Sequence, residues 1–183
     1  AASGLADTAA LTLSAPAPTP TVTGTGLPFG MSQQLSRFGT VAAPMTMSAD
    51  GMTASVLVSR ISAARSAGYK LIVNLTGGSH DLYMSTIDGV YQFDESKWRA
   101  KMDTYNTATI RQAVAQGVAD GTIIGSSAMD EPYVSGGATG GGNTWGPKGT
   151  MTKARVDTLC SVLKGMFPTL PAGVQHQHDM FEP

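Results

Sequence analysis

Two neighbouring acids, Asp130 and Glu131, close a largely apolar run, Gly121-Thr-Ile-Ile-Gly-Ser-Ser-Ala-Met-Asp-Glu-Pro132. A carboxyl group delivered by the C-terminal end of a buried strand is held still in partly apolar surroundings. It is then suited to give or take a proton as general acid or base. Glu131 is the first candidate for that role, with Asp130 beside it. A second run, Gly173-Val-Gln-His-Gln-His-Asp-Met-Phe-Glu-Pro183, repeats the pattern and presents Glu182. The alternative is that Asp130 and Glu131 only cap or hydrogen-bond the loop that follows them.

Other residues of chemical interest flank these runs. Trp145 ends a glycine-rich stretch, Gly136-Gly-Ala-Thr-Gly-Gly-Gly-Asn-Thr-Trp145, directly after Glu131. A tryptophan there is either a stacking surface for a ligand ring or an anchor folded back onto the core. The glycines lack the Lys-Ser/Thr ending of a phosphate-cradling loop. His176 and His178 share one face of a strand because side chains alternate with period two. With Asp130, Glu131 and Asp179 they are a weak candidate for a divalent-metal set; packing and hydrogen bonding to acids is the simpler reading, and no metal or other cofactor is expected. Asn74 and His80 flank Thr76-Gly-Gly78, placed either to touch a ligand or to satisfy the turn. No Gly-x-Ser-x-Gly elbow accompanies Ser126-Ser127, which disfavours a serine hydrolase. The lone Cys160 sits beside Leu159 and Leu163 and reads as a small core residue, and the ten methionines read as core filler.

With 183 residues, 42% of them hydrophobic and 14% charged, the chain can bury a real core. Twelve Lys and Arg balance thirteen Asp and Glu without a basic cluster, which speaks against a nucleic acid partner. No apolar run approaches the roughly 20 residues that span a bilayer, so no transmembrane segment is expected. Residues 1–26 are almost all Ala, Thr, Pro, Ser and Gly and read as an extended tether, followed by one domain over 27–183. A tether that begins at Ala1 rather than Met fits a secreted or periplasmic protein freed of its signal peptide.

The elements that would position these residues are legible as alternating helix and strand. Phe38–Thr46 is a candidate first strand despite Pro44. Met52–Ala67 carries Val56, Leu57, Ile61 and Ala64 at helical spacing before Gly68, and Tyr69–Thr76 follows as a strand. Asp94 caps a helix predicted through Trp98, Met102, Tyr105 and Ile110, ahead of a strand over Thr122–Met129. Thr152 caps a helix bearing Val156, Leu159, Leu163 and Met166, ahead of a strand over Val174–Phe181. Four apolar strands with three intervening helices predict an α/β fold with a parallel, helix-covered sheet. The strands 69–76, 122–129 and 174–181 should be adjacent.

Lys70-Leu-Ile-Val-Asn-Leu-Thr-Gly-Gly78, Asp88-Gly-Val-Tyr-Gln-Phe93 with Trp98, Asp120-Gly-Thr-Ile-Ile-Gly125 and Met129-Asp-Glu-Pro132 together resemble the first half of glycoside-hydrolase-like TIM barrels of secreted bacterial proteins. The resemblance covers residues 27–183. It implies a partial (β/α)₈ barrel, since a closed one takes about 250 residues. The abrupt Glu182-Pro183 end is expected to be the middle of a longer barrel; a shortened sheet or a barrel completed by two copies are the alternatives. In the retaining members an Asn-Glu-Pro supplies the acid/base, and the matching glutamate here is Glu131; Asp130 stands where the family has Asn. Hydrolysis of a glycosidic bond needs two carboxyl groups about 5–5.5 Å apart for retention or about 6.5–9.5 Å for inversion. Glu131 and Glu182, on successive strands, are candidates for such a pair.

Two readings follow. In the first, the chain is a secreted carbohydrate-active protein resembling glycoside hydrolases, with catalytic candidates Glu131, Asp130 and Glu182 and substrate contacts at Trp145, Asn74, His80, His176 and His178. In the second, it is a non-catalytic structural or glycan-binding subunit of a larger extracellular assembly or homo-oligomer, built on the same fold.

Overall fold

The computed structural model describes residues 27–28, 30–32, 46–76, 80–130, 145–146 and 150–175. Along the chain, β1 (Gly30–Ser32) and β2 (Met47–Gly51) precede α1 (Ala54–Ala67), which leads into β3 (Lys70–Asn74). A single 3₁₀ turn, His80–Leu82, opens a hairpin of β4 (Met84–Ile87) and β5 (Val90–Phe93). Two helices follow, α2 (Glu95–Asp103) and α3 (Ala108–Ala119), then β6 (Ile123–Asp130), α4 (Lys153–Met166) and β7 (Ala172–Gln175).

Among the described residues the main sheet has five strands in the order β1-β2-β3-β6-β7, every neighbouring pair parallel. Of the strands expected over 69–76, 122–129 and 174–181, the first two are β3 and β6, adjacent and parallel; β7, parallel beside β6, ends at Gln175, and residues 176–181 lie outside the described residues. Strand order follows chain order without reversal. Right-handed crossovers between such strands put their helices on one face of the sheet. Burial along β2 and β3 alternates accordingly. Leu71 and Val73 are buried and share, by register, a face with Ser48 and Asp50. Ile123, the register partner of Leu71, meets Ile61 of α1 at Gly117 of α3, which identifies this as the helix-covered face. On the opposite face Met47, Ala49, Ile72, Asn74 and Gly125 are only half-buried.

Local chemistry sets most element ends. Gly68 ends α1 at φ 73°, and its N–H reaches the carbonyls of Ala64 and Arg65. Thr152 Oγ1 accepts from Arg155 N at the start of α4. The helix predicted through Asp94–Ile110 is in fact two. Thr107 starts its own helix by accepting from Ile110 N, while Tyr105 and Asn106 turn the chain between them with short i→i−3 bonds. The β4–β5 hairpin and strand β2 were not foreseen. Most of the first strand expected over Phe38–Thr46 lies outside the described residues; Thr46 itself precedes β2.

Candidate functional site

The C-terminal ends of the parallel strands define one edge of the sheet, and the connections leaving that edge carry the candidate residues. β3 ends at Asn74 and β6 at Asp130. Asn74 pairs in register with Ser127, three residues short of Asp130. The three residues from Ser127 to Asp130 match only two of β7, a bulge in β6, so at about 3.3 Å per paired residue Asp130 lies roughly 7 Å further along the strand direction than Asn74. Asp130 is in turn the register partner of Gln175 at the end of β7. Asp130 and the end of β7 thus share one level of the edge, with Asn74 set back from it.

Asn74 is engaged locally. Its Oδ1 accepts from Thr76 N at 2.8 Å and from Thr76 Oγ1 at 2.7 Å, an Asx-type turn that satisfies backbone where β3 ends. These bonds are the ones the turn role calls for. His80 lies in the 3₁₀ turn after that connection. Glu131, Glu182, His176 and His178 lie outside the described residues, as does Asp179. Among the described residues no group of three or more His, Cys, Asp or Glu side chains is arranged to hold a metal ion.

Trp145 corrects the expectation of a stacking surface. It is only 2% exposed. Its ring lies against Tyr83 at 5.9 Å and edge-on to Phe93 at 6.1 Å between centroids, and its carbonyl accepts from Phe93 N at 2.7 Å. The chain between β6 and α4 is thereby fastened to the chain between β3 and α2. An indole in this setting gains more from burial in the core than from waiting in solvent for a ligand. Burial also raises the phenol pKa of Tyr83 well above its ordinary value, with the Tyr105 phenol adding to the effect.

Tyr105 is the second fastening at this edge. Its hydroxyl lies 2.6 Å from Met52 O and 3.1 Å from Leu75 O, joining the chain just beyond β2 to the chain just beyond β3. Burial pushes its pKa up to about 12, so the proton that makes these bonds stays in place. Trp98 of α2 adds a third fastening, donating its Nε1–H to Ala128 O of β6 at 3.0 Å. Two further residues were missed from sequence. Asp50, 8% exposed, is a carboxylate near the end of β2 that accepts from Ser48 Oγ on the helix-covered face. Its signal was available, an acid before Gly51 at the close of a short run. Tyr91 of β5 is 48% exposed, and its hydroxyl donates to Asp81 Oδ1.

No helix among the described residues is long and apolar enough to cross a membrane. Comparison with protein-family models, with curated proteins and with solved structures finds no match to this chain.

Proposed function

We propose that this chain is the N-terminal part of a (β/α)₈-type barrel that acts on carbohydrate, with Glu131 as general acid/base. The observation that carries the reading is the main sheet: among the described residues, five parallel strands whose order in the sheet follows their order in the chain. That is the winding of a barrel wall rather than of a doubly wound sheet, whose strand order reverses at a switch point. The half-buried face of Met47, Ala49, Ile72 and Gly125 is what the lining of an unclosed barrel would present. Barrel enzymes draw their catalytic groups from the C-terminal ends of strands. Asp130 is the last residue of β6, and Glu131 follows it in the chain.

In this reading Glu131, as the acid, protonates the departing glycosidic oxygen. A second carboxylate, for which Glu182 is the candidate, attacks the anomeric carbon or deprotonates the attacking water. Glu131→Gln removes the exchangeable proton at nearly constant volume. Hydrolysis of a panel of polysaccharides should fall by about 10²–10⁴-fold with an unchanged thermal unfolding midpoint. Equal turnover by wild type and variant removes Glu131 from the mechanism. Binding without turnover by the wild type transfers the reading to a non-catalytic glycan-binding subunit.

A further inference from the structure

We infer that Tyr91, rather than Trp145, is the aromatic surface on which this protein seats a sugar ring; the inference rests on the carbohydrate reading above. The hairpin that carries Tyr91 lies in the connection leaving the C-terminal end of β3, on the edge where the candidate acids emerge. In the antiparallel pairing Met84 faces Phe93 and Thr86 faces Tyr91. Residues two apart on a strand share a face. The face that is buried at Met84 and Phe93 therefore runs outward to an exposed Thr86 and a 48% exposed Tyr91. Leu82, 45% exposed, lies in the same 3₁₀ turn as Asp81, which holds the phenol.

The ring is fixed as well as exposed. Its hydroxyl donates to Asp81, which keeps the phenol pKa above its ordinary value. The root of the hairpin is anchored three ways: Phe93 and Tyr83 pack on Trp145, Ser85 Oγ donates to Asp94 at 2.7 Å, and Lys97 Nζ donates to Met84 O. A platform that loses little freedom on binding suits a weakly held ligand. The polar groups around it select the ligand class. Asp81 at the phenol and Lys97, whose Nζ donates to Asp81 O at 3.5 Å, offset one another in charge, and with the Thr86 hydroxyl opposite Tyr91 they suit a neutral, hydroxyl-rich ligand whose C–H face lies on the ring.

The test is titration of the full chain with cello-, xylo- and manno-hexaose, read by calorimetry and by hydrolysis, for wild type, Tyr91→Ala, Tyr91→Leu and Tyr91→Phe. Tyr91→Ala and Tyr91→Leu should bind about tenfold more weakly, whereas Tyr91→Phe should stay near wild type because the ring remains. In hydrolysis the loss should appear in KM and leave kcat nearly unchanged. Binding or hydrolysis by wild type that is equal in all variants overturns the platform and leaves the carbohydrate reading standing. Wild type that neither binds nor hydrolyses any of the three removes the carbohydrate reading and the platform together. Self-association lost in Tyr91→Ala with oligosaccharide binding unchanged overturns the platform in favour of a contact between copies.

Discussion

Asp94 illustrates how one carboxylate can tie two elements together. Its Oδ1 accepts from Ser96 N at 2.9 Å, Ser96 Oγ at 2.5 Å and Lys97 N at 3.2 Å, capping α2, while its Oδ2 accepts from Ser85 Oγ of the hairpin. These bonds, led by the Ser96 and Ser85 hydroxyls, hold its pKa at about 2 against an ordinary 3.8. A pKa lowered by folding contributes stability that is fully present above the unfolded value and is lost as pH falls through the folded one. Asp94→Ala should therefore cost about 0.5–2 kcal/mol at neutral pH. Urea midpoints should show the gap between wild type and variant persisting down to about pH 4 and closing towards pH 2. A gap independent of pH would mean that the carboxylate's charge is not what stabilises the cap.

Between elements, α3 comes close to the sheet at Gly117. A Cβ added there would lie 2.8 Å from Ile123 Cδ1, 2.9 Å from Ile123 Cγ1 and 3.3 Å from Ile61 Cγ2. In an exposed helix Gly→Ala gains about 1 kcal/mol of propensity. Here overpacking costs about 1–3 kcal/mol, because the β-branched Ile123 cannot swing aside within its strand. Gly117→Ala should accordingly lower stability by up to about 2 kcal/mol in chemical denaturation, and the reverse sign would show that α3 can move away from β6. The hairpin has its own local determinant. Asp88 and Gly89 both adopt positive φ, 51° and 77°, the backbone of a type I′ turn that Asp-Gly favours.

At the scale of the whole molecule, stability should grade from the middle of the sheet outward. β3 and β6 are paired on both sides, whereas β1 and β7 close the two ends of the strand order. Tyr105 and Trp98 add side-chain bonds where β3 ends and along β6. Native-state hydrogen exchange should find the slowest amides in β3 and β6, with β1, β7 and the Asp88–Gly89 turn opening at lower free energy. Slowest exchange in β7 instead would show that another element covers its outer edge. The helix-covered face is held by buried Leu57, Ile61, Leu159 and Leu163, so protection there should extend into α1 and α4.

The alternation of apolar runs with capped, amphipathic segments is enough by itself to predict helices α1 and α4, strands β3 and β6 with their parallel adjacency, and a further parallel strand from Val174, near where β7 ends. These depend on periodicity, on caps such as Thr152 and Gly68, and on the geometry of short crossovers, all of which are local. β2 was hidden because Met-Ser-Ala-Asp-Gly has little strand propensity and owes its state to pairing with β3. The hairpin's Asp-Gly turn is a local signal, whereas the break between α2 and α3 is masked by the helical spacing of Tyr105, whose hydroxyl the tertiary structure uses to clasp two strand ends. Which aromatic is buried was not legible at all. Trp145 and Tyr91 both belong to connections on the C-terminal edge, and only the packing of Tyr83 and Phe93 around the indole decided that Trp145 is core while Tyr91 faces outward. A side chain's exposure there depends on residues more than fifty positions away in the chain, and no local pattern encodes that.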